Sequence, residues 1–444
     1  MIQTKDRTIF CCTACGAEFA RWRGRCDQCG EWSTVEESPG RRAPAPAAGP
    51  GPVPLPEVCV GDCLRFTTGL SELDRVLGGG LVAGSVVLVA GDPGVGKSTL
   101  LLCAAAGLAR SGRPVLYVTG EESPAQTRLR AERLGIEDAR IHLLPETEVE
   151  AILAHAGSLR PVAVIVDSVQ TLRRGASGAG SPSQVRDGAA ELTVFAKRTG
   201  TAMLLVGHVT KTGDVAGPMT LAHLVDAVLS LEGDRYQSLR ALRALKNRFG
   251  SAEEVGLFEM CGDGLCDAAE GLPPPPRDGA REPGSVLVPV AEGSRILLLE
   301  AQALTVAGCS EPRRRSTGLD PRRIEMLAAV LAQKAGLDLR GQDIWASLAG
   351  GLRVDEPGTD LAVALAVASS LRNRPVPPDL AAFGEVGLLG EVRSGARGRA
   401  RLAEAARFGV TRVLVPPGTE APEGVGARPV RNLAEALAAA GLRA

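Results

Sequence analysis

Residues 91–98 of this 444-residue chain read Gly-Asp-Pro-Gly-Val-Gly-Lys-Ser and follow an apolar run. A Gly-x4-Gly-Lys-Ser turn between a strand and a helix can wrap its backbone N–H groups around phosphate oxygens. Lys97 would neutralise the β- and γ-phosphates, and the Ser98 hydroxyl would ligate Mg²⁺. Pro93 has no N–H, so the donors are expected from Gly94 onward. The predicted ligands are ATP and Mg²⁺, held by Gly91, Asp92, Pro93, Gly94, Val95, Gly96, Lys97, Ser98 and Thr99.

Polar side chains follow three further apolar segments at α/β spacing. Glu121 and Glu122 follow the first, Asp167 ends the second, and His208 follows the third. Functional groups gather at the carboxyl ends of parallel strands, where phosphates also bind. We expect Asp167 to complete the Mg²⁺ site, Glu121 to be the general base that orients water, and His208 to sense the γ-phosphate. Alternatively, Glu122 is the base, and Glu121 only complements the dipole of the helix that follows it. His208 could likewise only fill space at the end of its strand.

Lysine is rare here, because only six of the 50 basic residues are Lys: Lys5, Lys97, Lys197, Lys211, Lys246 and Lys334. Lys246 stands two residues before Arg248, after an alternating run typical of an edge hairpin, which would place both cations beyond a strand end. Two residues apart on an extended segment, the side chains leave the same face and can converge on one phosphate. A solvated basic strand end is the alternative interpretation.

Four cysteines near the N-terminus have the spacing of a metal site. Cys12, Cys15, Cys26 and Cys29 form a C-x2-C-x10-C-x2-C pattern, in which two knuckles can aim four thiolates at one ion. Cys11 is a possible competitor of Cys12 as ligand. Four thiolates leave no open position for water, so the sequence predicts a structural Zn²⁺ that contributes to the folding of a short module.

Composition and linkers indicate a multidomain globular protein of the α/β class. The net charge is −1, so bulk charge does not indicate nucleic acid. No secretory signal or membrane-length apolar run is present, which predicts a cytoplasmic protein without membrane partners. Two Pro-rich segments are interpreted as linkers. The predicted domains are a zinc module at 1–37, a linker at 38–57, a P-loop ATPase domain at 58–270, a linker at 271–284 and a further α/β domain at 285–444.

The stretch TTGLSELDRVLGGGLVAGSVVLVAGDPGVGKST, 67–99, resembles the RecA-type ATPase core of recombinases, clock ATPases and replicative hexameric helicases. With the four-Cys pattern, TGEES, GHVTK and KNRFG, the chain resembles the bacterial RadA (Sms) family of DNA repair and recombination ATPases. In RecA-type rings and filaments the nucleotide lies between subunits. The resemblance implies that Lys246 and Arg248 of one subunit reach the γ-phosphate bound by its neighbour. The implied catalytic set is Lys97, Glu121, Asp167, Lys246 and Arg248.

The last block resembles the proteolytic domain of Lon over 351–375 and 384–416. Lon-type peptidases use a Ser–Lys dyad in which the lysine is the base. Gly358 occupies the place of the serine, and the place of the lysine falls at or about Arg399. Glycine has no nucleophile, and Arg stays protonated at any ordinary pH. We therefore expect a Lon-like fold without peptidase activity.

The resemblance implies a DNA-dependent ATPase in homologous recombination and repair, of the helicase or branch-migration type. Expected partners are single-stranded and branched DNA, a RecA-type recombinase and further copies in a ring, with a hexamer favoured. A clock-type regulatory ATPase acting on protein partners is the alternative, and an ATP-dependent peptidase is disfavoured. The loop at 210–220 is either a DNA contact or a plain surface loop. Two arginine clusters either contact phosphates or are simply solvated: Arg313, Arg314, Arg315, Arg322 and Arg323, then Arg393, Arg397, Arg399 and Arg401.

Overall fold

The computed structural model describes most of the chain, in two compact units, Met1–Asp62 and Cys63–Ala444. The described residues are 9–14, 17–19, 21–38, 54–57, 64–174, 182–207, 221–233, 238–262, 264–268, 281–308, 311–349, 352–422 and 426–443. Outside these ranges lie Cys15, His208, the loop at 210–220 with its Lys211, and most of both linkers. The division of the larger unit at 271–284 stays a prediction.

The smaller unit contains a short antiparallel sheet in the order β2-β1-β3. Its strands are β1 (Ile9–Cys12), β2 (Glu18–Phe19) and β3 (Val35–Ser38). Among its described residues the buried hydrophobic ones are Cys12, Cys26 and Val35, with Phe10 and Phe19 packed partly against them. So few apolar side chains supply little hydrophobic stabilisation, and such small modules usually need a metal or disulfides in addition.

A large twisted sheet organises the first half of the larger unit. The short strands β4 (Arg65–Phe66) and β5 (Leu81–Val82) pair beside it. Its own strands are β6 (Val86–Gly91), β7 (Val115–Thr119), β8 (Ile141–Leu144), β9 (Ala163–Asp167), β10 (Ala202–Val206), β11 (Ala227–Glu232), β12 (Leu239–Asn247), β13 (Val255–Cys261) and β14 (Gly264–Asp267). Over the described residues the order is β14-β13-β12-β11-β6-β10-β9-β7-β8. Strands β6 to β11 are parallel to one another, and β12, β13 and β14 are added as antiparallel neighbours at one side.

Helices cover both faces of this sheet. They are α1 (Ser71–Val76), α2 (Lys97–Ala109), α3 (Pro124–Arg133), α4 (Val149–Leu159) and α5 (Pro182–Thr199). Side chains alternate across a strand, so Val87 and Val89 of β6 join the core around α2, while Val86 and Leu88 join the core around α4 and α5. Both faces are therefore buried, as expected for parallel strands with continuous apolar sequence.

A second sheet organises the rest of the larger unit. Its strands are β15 (Ser285–Glu292), β16 (Arg295–Ala307), β17 (Arg314–Thr317), β18 (Gln342–Leu348), β19 (Leu380–Ala382), β22 (Arg412–Val415) and β23 (Gly426–Pro429), and a separate hairpin holds β20 (Glu385–Val386) and β21 (Val392–Arg393). Among described residues the order is β17-β18-β16-β15-β19-β22-β23. The helices are α6 (Pro321–Ala335), α7 (Asp360–Arg372), α8 (Gly398–Arg407) and α9 (Leu433–Ala439).

The two sheets share one hydrophobic core. Leu239 and Leu257 of the first sheet belong to the same buried cluster as Val286 and Leu299 of the second. Charged groups strengthen this junction: Arg295 donates to both carboxylate oxygens of buried Glu72 over 2.8 and 3.0 Å. A bidentate Arg–carboxylate pair is both strong and directional, so it fixes β16 against α1, whose Glu72 also accepts a hydrogen bond from the N–H of Leu257 in the first sheet.

The predicted fold class is confirmed as mixed α/β with a P-loop domain and an N-terminal cysteine cluster. In the described part of the chain, every helix is too short or too polar to span a membrane.

Candidate nucleotide-binding site

The phosphate loop lies where the sequence predicts it, between β6 and α2. Gly94 and Gly96 have φ values of +80° and +114°, a left-handed conformation that glycine adopts without steric cost. Lys97 is the first residue of α2, so the free N–H groups of the helix N-terminus face the loop. The backbone is thus shaped to surround an anion.

The Lys97 ammonium lies inside the loop. Its Nζ donates to the carbonyl oxygens of Gly91 and Asp92 over 2.8 and 2.9 Å, and only 4% of the residue is exposed. Burial lowers the pKa of Lys97 from its usual value, while the carboxylates of Asp167, Asp92 and Glu121 act in the opposite direction. Three carboxylates therefore lie close enough to the ammonium to influence its ionisation.

Glu121 and Asp167 lie at the same end of the sheet because β7 and β9 are paired. Thr119 is opposite Asp167 in the register, and the N–H of Gly120 donates to the carbonyl oxygen of Asp167 over 2.9 Å. Glu121 follows directly and accepts a 2.5 Å hydrogen bond from the Ser168 hydroxyl. Sequence reasoning predicted the two acids but not their partner Ser168, because only the fold brings residues 47 positions apart together.

Partners distinguish the two neighbouring glutamates. Glu122 forms an ion pair with Arg130 of α3, and its carbonyl accepts a 2.7 Å hydrogen bond from Thr119. Its carboxylate is therefore directed toward α3, whereas the carboxylate of Glu121 acts on Lys97 and Ser168. This geometry favours Glu121 as the base. The role itself stays a prediction.

Asp167 has a partner that the sequence did not indicate. The Tyr117 hydroxyl donates to Asp167 Oδ2 over 2.8 Å, and burial raises the pKa of Tyr117 well above its usual value. The tyrosine therefore stays a hydrogen-bond donor and fixes one oxygen of the carboxylate. A magnesium ligand needs such a partner to set its orientation.

Lys246 and Arg248 lie at the other end of the same sheet. The Lys246 ammonium donates to the carbonyls of Ala222 and Val225 over 2.6 and 2.8 Å, and Arg248 pairs with Asp226 at 3.3 Å. Burial is the main cause that lowers the pKa of Lys246, and the neighbouring guanidinium adds to it. Both head groups contact 222–226, so they leave the strand on one side.

The prediction of an edge hairpin with both cations beyond a strand end was wrong in two details. β12 lies between β11 and β13, so it is an interior strand of an antiparallel extension. Lys246 is within β12 and opposite Val228, and only Arg248 lies beyond it. The alternation seen in the sequence reflects two neighbouring strands and not a free edge.

The cysteine cluster has a geometry that fits zinc. The sulfur atoms of Cys12, Cys26 and Cys29 all lie within 4.8 Å of one another, and Cys12 Sγ is 3.7 Å from Cys29 Sγ. Tetrahedral zinc with bonds of about 2.3 Å separates two sulfurs by roughly 3.8 Å, whereas a disulfide requires about 2.05 Å. The three described cysteines therefore present the spacing of metal ligands.

An ion pair with a fully buried arginine lies beside Gly358 in the last block. Arg401 is fully buried, pairs with Glu356, and donates to the carbonyl of Pro289 over 2.6 Å. A Cβ placed on Gly358 would lie 3.2 Å from Arg401 Nη1 and 2.4 Å from Glu356 Oε1. The cation beside Gly358 is thus Arg401, and Arg399, which the sequence placed there, is exposed.

The arginine clusters are divided by burial and pairing. Arg401 is buried and cannot contact DNA, so its inclusion in a surface cluster was wrong. Arg323 pairs with buried Asp360, and Arg314 donates to the carbonyl of Gln342 over 2.5 Å. Local charge runs do not show which guanidinium turns inward, because that depends on distant acceptors.

Comparisons with known proteins agree with this geometry. Residues 54–214 match the family model of the AAA domain, and residues 10–37 match that of the rubredoxin metal binding domain. Over 98% of both chains, the protein is 46% identical to the DNA repair protein RadA of Pseudomonas aeruginosa strain PAO1 and 44% identical to that of Bacillus subtilis strain 168. The corresponding protein of Aquifex aeolicus is 43% identical, over 98% of this chain and 99% of its own.

The chain belongs to the RadA family. The RadA relatives cover nearly the whole chain, so the likeness includes the cysteine module and the last block as well as the phosphate loop. The resemblance inferred from KNRFG and the four cysteines is thereby confirmed at the level of the RadA family.

Proposed function

We propose that this protein is a DNA-dependent ATPase that acts in homologous recombination and DNA repair as a ring-shaped motor. Membership of a family of DNA repair proteins and the AAA domain support ATP hydrolysis and a role in repair. The finer proposal is that the ring, with a hexamer favoured, binds single-stranded DNA and drives branch migration of strand-exchange intermediates together with a RecA-type recombinase, in the cytoplasm. The loop at 210–220 and His208 retain their proposed roles as DNA contact and phosphate sensor.

One observation carries the ring proposal. Asp226, the partner of Arg248, also accepts a 3.0 Å hydrogen bond from the N–H of Val86, the first residue of β6. The phosphate loop begins at the opposite end of β6, five residues and about 17 Å away at roughly 3.3 Å per residue. Lys246 and Arg248 thus lie too far from their own loop to contact its phosphates. They could serve a nucleotide only on a neighbouring subunit, which requires head-to-tail contacts between subunits, and the proposal is that these contacts close into a ring.

The proposed chemistry at each site uses the residues described above. Gly91 to Thr99 would hold ATP, and Ser98 with Asp167 would hold Mg²⁺, whose positive charge would stabilise the phosphate oxygens. Glu121, oriented by Ser168, would accept a proton from the attacking water. Lys246 and Arg248 of the neighbour would stabilise charge on the γ-phosphate. Cys12, Cys15, Cys26 and Cys29 would hold a structural Zn²⁺.

We further propose that the last block lacks peptidase activity. Its support is chemical: Gly358 offers no nucleophile, and the guanidinium beside it is paired with Glu356. Cleavage of an unfolded protein substrate that disappears on mutating Thr359 would contradict this.

ATP hydrolysis measured with and without single-stranded DNA, on wild type and Lys97→Ala, tests the function. We expect DNA to stimulate wild-type turnover and Lys97→Ala to be inactive in both conditions. Wild-type turnover that ignores DNA would favour the alternative, a clock-type regulatory ATPase acting on protein partners.

A further inference from the structure

A buried arginine lies directly behind the phosphate loop. Arg240, the second residue of β12, is 4% exposed, and its Nε donates to the carbonyl oxygen of Val95 over 3.1 Å. A second donor of the same guanidinium, Nη1, bonds the carbonyl of Leu239 over 2.7 Å. Val95 is the residue before the last glycine of the loop, so this contact joins the interior of the sheet to the loop itself.

Peptide geometry gives this contact a consequence for the phosphates. In a trans peptide the carbonyl of one residue and the N–H of the next point in opposite directions. Because Arg240 holds the Val95 carbonyl on its own side, the N–H of Gly96 is directed to the opposite side, away from the arginine. Without that hydrogen bond the peptide could rotate, since glycine at φ +114° permits many backbone conformations.

Close packing surrounds the stem of Arg240 and the loop. A Cβ on Gly233 would lie 2.4 Å from Cδ of Arg240, so only glycine at 233 allows the arginine stem to pass. On the same side, Leu265 and Met260 approach within 3.1 Å of the position that a Cβ of Gly96 would occupy. Arg240 of β12 and the β13–β14 hairpin therefore both pack against the loop.

A packing role alone does not explain an arginine at this position. Burying a guanidinium costs desolvation free energy that an apolar side chain of similar length avoids. We propose that Arg240 is a positioning residue for nucleotide binding, which holds the Val95–Gly96 peptide in the orientation that presents the Gly96 N–H to the phosphates. It acts through the backbone and touches no reacting atom. The inference rests on the proposed use of this loop for ATP.

The experiment compares Arg240→Met, which keeps the length but removes the donors, with Arg240→Lys, which can still donate to Val95. Leu257→Ala is the matched control, because Leu257 is 1% exposed on the neighbouring strand β13 and its side chain belongs to the core shared by the two sheets. The dissociation constant of Mg·ADP is measured calorimetrically on the full chain without DNA, at a temperature where circular dichroism shows every variant folded. The KM for ATP and kcat are measured on the same samples.

We expect Arg240→Met to raise the Mg·ADP dissociation constant and the KM about tenfold while kcat changes less than about threefold, because backbone amides bind ground state and transition state alike. Arg240→Lys recovers most of the Mg·ADP affinity. Leu257→Ala lowers the melting temperature and leaves the Mg·ADP affinity unchanged. Unchanged Mg·ADP affinity in folded Arg240→Met overturns the inference, and so does an equal loss of affinity in Leu257→Ala. If wild type itself binds no Mg·ADP, the proposed function fails instead.

Discussion

Lys246 lies opposite Val228, which in turn lies opposite Leu88, while Gly91 at the start of the phosphate loop is three residues further along β6. The lysine side chain then extends away from the loop, to the carbonyls of Ala222 and Val225. One strand, β12, thus has Arg240 against the loop of its own chain and Lys246 at the opposite end. In a ring, that strand would connect two neighbouring nucleotide sites.

Replacement of Lys246 by Arg should impair turnover although the charge is kept. A compact ammonium beside one planar guanidinium suits a single γ-phosphate, whereas two guanidinium groups would compete for the same oxygens. We expect DNA-stimulated hydrolysis to fall about tenfold to a hundredfold, less than the 10³–10⁵ lost when such a group is removed in well-studied systems. The ADP affinity of Lys246→Arg, measured by titration, should stay near that of wild type. The control Lys334→Arg, at an exposed position, should keep both wild-type affinity and wild-type steady-state turnover.

The cysteine module should lose its metal when one thiolate is removed. Cys26 is fully buried between the other ligands, and Cys26→Ser replaces a strong zinc ligand with a hydroxyl. Metal analysis should find one zinc per wild-type chain and much less in the variant, while the control Cys261→Ser, exposed in the larger unit, keeps its zinc. Basal ATP hydrolysis should survive, because the module is a separate compact unit. Undiminished zinc in Cys26→Ser contradicts the assignment.

The ion pair of Arg295 with Glu72 should stabilise the junction between the two sheets. Arg295→Met removes the bidentate partner of the Glu72 carboxylate, whose side chain is 5% exposed, and leaves it only the more distant Arg75 at 3.6 Å. We expect the free energy of unfolding to fall by about 2 kcal/mol, less than the roughly 3–5 kcal/mol lost when a buried charge is left without any partner, because Arg75 stays nearby. Adding Glu72→Gln should recover part of that loss. The exposed pair of Arg340 and Asp338 is the control, because Arg340→Met should cost under about 1 kcal/mol in the same urea titrations.

A pH dependence of stability is expected from Asp379. The Arg412 guanidinium beside it lowers the pKa of Asp379 to about 2. A depressed carboxyl pKa stabilises the fold above the unfolded value of about 3.9, and that contribution disappears as pH falls through the folded value. Asp379→Asn should therefore reduce the free energy of unfolding at pH 7, and the difference from wild type should shrink below about pH 4. A difference that stays constant from pH 7 to pH 3 in urea titrations would refute this.

Local features of the site were predictable from the sequence, and its partners were not. Lys97 and Gly96 act within one turn of chain, where spacing alone determines geometry, and the placement of Asp167 follows from strand order. Ser168 against Glu121 and Arg240 against Val95 join residues that are 47 and 145 positions apart. Arg401 illustrates the limit most clearly. Its neighbour Arg399 is the same residue type two positions away, yet only the fold decides which one is buried.

The most direct test of the central claim mixes two inactive variants. Lys97→Ala removes the loop lysine but keeps Lys246, and Lys246→Ala keeps Lys97 but removes the residue proposed to act on the neighbouring subunit. In randomly mixed rings at equal amounts, about a quarter of interfaces pair an intact loop with an intact Lys246. We predict that the mixture hydrolyses ATP with single-stranded DNA well above either variant alone. If mixed rings form, as shown by co-purification of differently tagged subunits, and the mixture stays as inactive as its parents, Lys246 does not act on the neighbouring subunit.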